Sequence, residues 1–102
     1  MNNEALYSSS SNEWYTPAIV LEWVIDAMGG IDLDPCSNSH EAPNVPAAVH
    51  FTQADDGLSQ DWQVMDRPSR VFMNPPYNRE VGKWTRKAIG EFAAGRVSEM
   101  IV

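Results

Sequence analysis

The sequence predicts an α/β fold, because short β-prone apolar runs alternate with longer segments of helical periodicity. Residues 70–73 form the clearest of these runs, and Pro75 and Pro76 follow it closely. Proline cannot donate to a sheet ladder, and the residue before a proline is pushed toward extended geometry. We therefore expect a buried strand over residues 70–73, with Asn74 at its carboxyl end.

The length and composition are those of one globular domain at most, with 102 residues of which 43% are hydrophobic. The single cysteine, Cys36, excludes an internal disulfide framework and suits a reducing cytoplasm. No apolar run is long enough to span a bilayer, and no Cys/His spacing resembles a zinc site. Polar, serine-rich residues 1–12 predict a disordered lead, which leaves residues 13–102 as the structured part.

Two segments have the spacing of amphipathic helices. Thr16 as N-cap and Pro17 at the first helical position predict one helix start, and the glycine pair at residues 29–30 predicts its end. The apolar stripe expected on this helix consists of Val20, Trp23, Val24 and Ala27. A second helix follows Tyr77 and stops near Gly95, and its expected stripe consists of Val81, Trp84, Thr85, Ala88, Ile89 and Phe92.

Three further apolar runs complete the predicted sheet. Residues 31–34 and 49–52 have the composition of short strands, and residues 98–102 begin another. Pro43 and Pro46 exclude a long helix over residues 40–50. A domain that ended at residue 102 would leave a sheet edge uncovered. We therefore expect this chain to be the N-terminal portion of a longer domain.

The candidate site lies where the predicted strands end, since ligands of open α/β sheets bind at the carboxyl ends of the strands. The Asn74 side-chain oxygen and the Pro75 carbonyl can each accept one N–H of an amine, and the Tyr77 ring can stack on a planar group. Together with Pro76, these residues predict a receptor for a planar group that bears an exocyclic amine. The structural alternative is a rigid proline turn with a packed tyrosine.

The order of four motifs resembles that of the phage-type DNA N-6-adenine methyltransferase family. The motifs are Tyr-Thr-Pro at residues 15–17, Asp-Leu-Asp-Pro-Cys-Ser at 32–37, Asp-Asp-Gly-Leu at 55–58 with Trp62, and Asn-Pro-Pro-Tyr at 74–77. The resemblance covers roughly residues 12–102 and implies a Rossmann-like methyltransferase sandwich of three layers, with a mostly parallel sheet between helices. Ser37, Asn38 and Ser39 depart from the family pattern, because a glycine-rich loop is usual there.

This resemblance implies transfer of a methyl group from S-adenosylmethionine to the exocyclic amine of adenine in DNA, without a metal. The residues implied to border the cofactor are Tyr15, Thr16, Pro17, Asp34, Pro35 and Asp56. The implied catalytic residues, which would hold an adenine that has left the duplex, are Asn74, Pro75, Pro76 and Tyr77. The implied setting is a bacterial cytoplasm, with phage or prophage origin.

Within this resemblance, Asp34 could meet the ammonium group of the cofactor, although Asp-Pro is also a common turn initiator. One acid of the Asp55-Asp56 pair could accept a hydrogen bond from the cofactor's adenine amine, with Leu58 or Trp62 packed on the ring. An ordinary Asp-Gly turn with an anchoring tryptophan explains the same residues equally well.

The charges are unevenly distributed along the chain, whose net charge is −7. Residues 1–61 carry ten acids and neither Lys nor Arg, whereas all seven bases follow residue 61. The net charge argues against strong nucleic-acid binding by the whole surface. Four of the bases cluster after the Asn-Pro-Pro-Tyr motif, either as a weak phosphate-facing patch or as a solvated helix face. They are Arg79, Lys83, Arg86 and Lys87.

Two other functions remain open at this point. Asn-Pro-Pro-Tyr also occurs in methyltransferases that act on a protein glutamine amide or on RNA guanine, although the upstream motifs favour DNA adenine. A non-catalytic or truncated remnant of the methyltransferase fold is the alternative from a different class. The altered glycine loop, the acidic surface and the mid-strand end at residue 102 favour this second alternative.

Overall fold

A computed structural model of the protein describes residues 15–102, so the polar lead predicted for residues 1–12 lies outside the described part. The elements are, in chain order, helix α1 (Ala18–Met28), strands β1 (Leu33–Asp34) and β2 (Val49–His50), a 3-10 turn (Gly57–Ser59), strand β3 (Ser69–Phe72), helix α2 (Val81–Ala93) and strand β4 (Val97–Ile101). All pairings in the sheet are parallel, in the order β2-β1-β3-β4. The α/β class and the parallel sheet agree with the sequence prediction.

The two helices cover opposite faces of the sheet, which gives three layers. On one face, Met28 of α1 belongs to the same buried cluster as Phe72 of β3. On the other face, Ala88 of α2 belongs to a second cluster that contains Val71 and Met73. Successive side chains of a strand point to opposite faces, so the run 71–73 alternates between the two clusters.

The strands begin and end within two residues of their predicted bounds, and β3 carries the sheet. It pairs with β4 at four positions, from Ser69↔Val97 to Phe72↔Ile101. The Met73 N–H still donates to the Ile101 carbonyl at 2.9 Å, and the prolines follow directly after Asn74. Asn74 therefore lies just beyond the carboxyl end of the strand, as predicted.

The start of α1 differs from the prediction, because Pro17 and not Thr16 is the N-cap residue. Pro17 has the extended geometry φ −59°, ψ 145°, and no side chain caps the helix. Its carbonyl accepts the Val20 and Leu21 N–H groups at 3.1 and 3.2 Å. At the other end, Gly29 is the C-cap with φ 78°, a left-handed conformation that glycine adopts without steric cost, as predicted.

The apolar stripes of both helices differ in part from those predicted. In α1, Val24 is buried as expected, but Trp23 is 63% exposed and the buried neighbours are Leu21 and Met28. In α2, Trp84 and Ala88 pack inward, whereas Ile89 and Phe92 are 63% and 54% exposed. Apolar spacing alone does not say which face of a helix meets the sheet. No helix within residues 15–102 is long and apolar enough to cross a membrane.

A buried carboxylate, Asp32, joins three elements at the amino-terminal edge of the sheet. Its Oδ2 accepts the Arg70 N–H at 2.8 Å, and both oxygens accept guanidinium N–H groups of Arg67 and Arg70 at 2.8 to 3.1 Å. Arg70 also donates to the carbonyl of Met28, the last residue of α1, at 3.3 Å. Two hydrogen-bonded guanidinium groups hold the pKa of Asp32 well below its usual range.

A second buried carboxylate, Glu91, ties α2 to the rest of the chain. Its Oε1 accepts the Trp62 backbone N–H at 2.9 Å and lies 3.0 Å from the Lys87 Nζ, while its Oε2 pairs with Arg96. The Lys87 ammonium also lies 5.8 Å from the centre of the Trp62 ring. Burial opposes ionisation of this group, but its three partners together keep the pKa of Glu91 below its usual value.

Candidate functional site

A cavity of about 420 Å³ lies at the carboxyl ends of β1 and β3, a volume typical of small-molecule sites. Eight of the ten site residues predicted from the sequence line it, namely Tyr15, Thr16, Asp34, Pro35, Asp56, Asn74, Pro75 and Pro76. The other two do not line it: Pro17 serves as the helix cap, and the Tyr77 ring is 55% exposed beside the lining residues Pro76 and Asn78. The sheet thus brings together motifs that lie far apart in the sequence.

Asp34 is the most deeply buried acid of the cavity, with 2% of its surface exposed. Its Oδ1 accepts the Cys36 N–H at 3.0 Å. Burial raises the pKa of Asp34 to about 6, although the Cys36 N–H and the nearby His50 act in the opposite direction. A desolvated carboxyl group at a cavity wall gains from a cationic partner, which makes Asp34 the first candidate for binding a ligand ammonium.

The loop after Asp34 forms a tight turn without glycine. Of the described residues other than glycine, Asp56 is the one with a positive φ, so Ser37, Asn38 and Ser39 need no left-handed geometry. The Ser37 N–H donates to the Phe51 carbonyl at 2.8 Å, and the Ser37 hydroxyl donates to the Ser39 carbonyl at 3.1 Å. Serine hydroxyls therefore provide the local hydrogen bonds of this turn.

Asn44 joins this loop to the segment before α1, and sequence reasoning missed it. Its backbone N–H donates to the Asn38 side-chain oxygen at 2.8 Å, and its side-chain amide donates to the Thr16 carbonyl at 3.1 Å. Asn38, Asn44 and Thr16 all line the cavity. Nothing in the local sequence distinguishes Asn44 from other loop residues, because its role depends on a contact 28 positions away.

Gly57 allows the loop of the third motif to approach the end of β1. A Cβ atom on Gly57 would lie 2.5 Å from the Pro35 carbonyl oxygen and 3.1 Å from the Trp84 ring. Only glycine fits such a close approach. The preceding residue, Asp56, has the left-handed φ of 56° and lines the cavity. The acid predicted to face the cofactor is thus held beside the Asp34-Pro35 turn.

Asp55 and Trp62 of this motif have structural roles. The Asp55 carboxylate pairs with residues outside the cavity or with backbone: its Oδ2 lies 2.5 Å from His40 Nε2 and accepts the Thr52 N–H at 2.9 Å. The suggestion that Trp62 packs on a ligand ring is wrong, because its side chain is fully buried and its Nε1 donates to the Gly57 carbonyl at 2.9 Å. Leu58 lines the cavity instead.

The cavity is acidic. Its titratable carboxylates are Asp34, Asp56 and Glu80, and none of the lining residues within the described chain is Lys, Arg or His. Such a lining favours a ligand with net positive charge and disfavours polyphosphates, which need cationic or exposed N–H partners. Among residues 15–102, no group of three His, Cys, Asp or Glu side chains could hold a metal ion.

The comparison with protein-family models agrees with the family that the order of motifs resembles. Residues 4–101 match the model described as DNA N-6-adenine-methyltransferase (Dam). The chain has no significant match among curated proteins or among solved structures. The match extends over nearly the whole chain and includes every motif that lines the cavity. The protein therefore belongs to the DNA N-6-adenine-methyltransferase (Dam) family.

Proposed function

We propose that this chain binds S-adenosylmethionine in the acidic cavity and provides the site where a methyl group passes to the exocyclic amine of an adenine in DNA. The observation that supports this most strongly is one shared cavity. The Asp34-Pro35 turn after β1 and the Asn74-Pro75-Pro76 turn after β3 line it together. A methyl donor and an amine acceptor must meet in one space, and these two turns provide it.

The chemistry of the lining suits S-adenosylmethionine, whose sulfonium and ammonium groups outweigh its single carboxylate. In the proposed complex, the Asp34 carboxylate accepts N–H groups of the ligand ammonium, and Asp56 accepts the amine of the ligand's adenine ring. Tyr15, Thr16 and Pro35 border the ligand from the side of α1 and β1, and Pro17 caps the helix next to Thr16 without lining the cavity. When bound, the cofactor supplies an electrophilic methyl group.

The acceptor side of the cavity is proposed to position the target base. The Asn74 side-chain oxygen and the Pro75 carbonyl accept the two N–H groups of the adenine amine, and the exposed Tyr77 ring stacks on the flipped base. Pro76 keeps this turn rigid. The amine nitrogen forms a bond to the methyl carbon as the sulfur–carbon bond breaks, and the amine then releases one proton to solvent. Positioning is the main catalytic device.

The variant Asn74→Ala tests this proposal. We expect transfer of labelled methyl groups to adenine-containing DNA to fall by roughly 100-fold or more, because the amine is no longer oriented. Circular dichroism and calorimetric titration with S-adenosylmethionine should show a folded chain that still binds the cofactor. A folded variant with unchanged transfer would contradict the proposal, and an unfolded one would support a purely structural proline turn.

Tyr77 offers a matched pair of variants for the same test. Tyr77→Ala removes the stacking surface, whereas Tyr77→Phe keeps the ring and loses the hydroxyl. We expect about a tenfold or greater loss of transfer in the first and near-native transfer in the second, since base stacking contributes roughly 1–3 kcal/mol. Parallel assays with RNA and with a glutamine-containing peptide separate the substrates. Transfer to either of these, and not to DNA, would contradict the DNA assignment.

A further inference from the structure

We propose that Arg79, Lys83 and Arg86 form a phosphate-contacting face that holds the DNA backbone beside the flipped adenine. We call these three residues the α2 basic face. The inference rests on the proposed function for the identity of the nucleic acid. It goes beyond that function because it assigns the contact that positions the strand outside the cavity.

These three residues differ from the other bases of the chain because no buried carboxylate within residues 15–102 pairs with them. The seven Lys and Arg residues of the chain all lie in the described part. Four of them are held by buried carboxylates, Arg67 and Arg70 by Asp32, and Lys87 and Arg96 by Glu91. The remaining three bases are those of the α2 basic face, and all three are exposed.

The three residues lie within the segment 79–86, next to the cavity. Lys83 and Arg86 are three positions apart and share one face of α2, and Arg79 lies in the turn directly before the helix. The intervening residues Glu80 and Trp84 line the cavity. A base that enters the cavity thus leaves its own phosphates near this face, because the α2 segment contributes to both.

The local contacts leave these cations available to a phosphate. Lys83 pairs with Glu80 at 2.9 Å, but both side chains are about half exposed, and such pairs are weak and easily exchanged. The Arg86 guanidinium lies over Gly82, since its Nη1 would be 3.4 Å from a Cβ atom at that position, and Arg86 itself is exposed. Arginine and lysine without a buried partner are the usual phosphate ligands of nucleic-acid-binding surfaces.

The charges also explain why the face is separate from the cavity. The cavity is lined by carboxylates and repels phosphate, whereas the α2 basic face attracts it. A strand is therefore expected to present its base, and not its backbone, to the interior. Three phosphate contacts on a single strand predict a salt dependence of about −2 in log K against log salt concentration.

The test is DNA binding by the whole chain, measured by fluorescence anisotropy with a labelled single-stranded oligonucleotide of roughly 20 nucleotides at several KCl concentrations. The neutralised variant carries Arg79→Gln, Lys83→Gln and Arg86→Gln. We expect it to lose roughly tenfold or more in affinity at low salt, and its salt slope to approach zero. The charge-retaining variant Arg79→Lys with Arg86→Lys should stay close to the native affinity.

A second control separates the face from the total charge. It lowers the net charge by the same three units at exposed positions outside α2, through Ala27→Glu, Gln63→Glu and Ser98→Glu. We expect this control to bind DNA several times more tightly than the neutralised variant. Equal losses in the two variants would overturn the inference, as would a wild-type chain that binds no DNA at low salt.

Cofactor titration distinguishes this inference from the proposed function. All three variants should bind S-adenosylmethionine as the wild type does, because none of the substituted residues lines the cavity. A wild type that binds no cofactor but loses DNA affinity with the α2 basic face would contradict the proposed function alone. A wild type that binds cofactor and methylates DNA, with an unaffected neutralised variant, would contradict this inference alone.

Discussion

Asp32 and Asp34 are separated by one residue, and each is 2% exposed, yet their surroundings are opposite. Asp32 lies at the amino-terminal edge of β1, where two guanidinium groups and a backbone N–H hold it as an anion. Asp34 lies at the carboxyl end, where the Cys36 N–H is its hydrogen-bond donor within the described chain. The same residue type thus has a lowered pKa at one position and a raised pKa at the other.

The difference shows how one short strand separates stability from binding. A buried carboxylate with a full set of donors stabilises the fold and has little left to offer a ligand. A buried carboxylate with few donors lowers the stability of the fold, and its charged form is stabilised by any cation that reaches it. Asp32 is therefore expected to matter for folding and Asp34 for the cofactor. The predictions that follow test this division, beginning with the largest effect.

Asp32→Ala should lower the free energy of unfolding by about 3 kcal/mol, because it leaves Arg67, Arg70 and the Arg70 N–H without their shared acceptor. Urea titration at neutral pH measures this loss. Asp26→Ala, which removes an exposed acid from α1, is the control and should change stability by less than about 0.5 kcal/mol. Similar values for the two variants would show that the Asp32 cluster does not support the fold.

Asp34→Asn should weaken binding of S-adenosylmethionine by roughly 10- to 100-fold, since it replaces a charge-assisted hydrogen bond worth about 1.5–3 kcal/mol. Stability at neutral pH should be unchanged or higher, because the amide oxygen can still accept the Cys36 N–H and no charge is buried. Calorimetry and urea titration of the same sample measure the two effects. Unchanged affinity, or an unfolded variant, would show that Asp34 supports the fold as Asp32 does and does not bind the cofactor.

The pH dependence of stability should differ between the wild type and Asp34→Asn. The folded pKa of Asp34, about 6, exceeds the ordinary value of 3.8, so the folded state holds the extra proton between these values. The wild type should therefore gain stability relative to the variant as pH falls, by about 1 kcal/mol between pH 7 and pH 5. Urea titrations of both proteins at the two pH values measure this gain. A difference of the opposite sign would mean that the Asp34 carboxyl is not desolvated.

Most of the fold could be predicted from local signals. The prolines that follow residues 34 and 74 mark strand ends, and Gly29 and Gly95 mark helix ends, because each constrains the backbone at its own position. The faces of the helices were predicted less well. Trp23, Ile89 and Phe92 have helical spacing but are exposed, since the orientation of a helix depends on what the sheet offers it.

The site residues likewise include some that could be predicted from the sequence and some that could not. Asn74, Pro75 and Pro76 could be placed at the cavity from the sequence, because ligands of open α/β sheets bind at the carboxyl ends of the strands. Asp34 was indicated by the family resemblance, since Asp-Pro by itself is also a common turn initiator. Asn44 could not be found, since it acts through a hydrogen bond to Thr16 at a separation of 28 positions. The sequence left open whether Trp62 packs on a ligand ring or anchors the turn, and its hydrogen bond to the Gly57 carbonyl shows that it anchors the turn.

By itself, the sequence determined that strands end before the prolines at residues 35 and 75, because proline restricts the backbone at its own position and at the residue before it. The tertiary structure brought the turns that follow these strands to one edge of a parallel sheet. Tertiary structure alone decided which aspartate is paired with cations, because Arg67 and Arg70 reach Asp32 from 35 and 38 positions away. It likewise decided which bases remain on the surface, since pairing depends on which side chains the fold brings within contact distance.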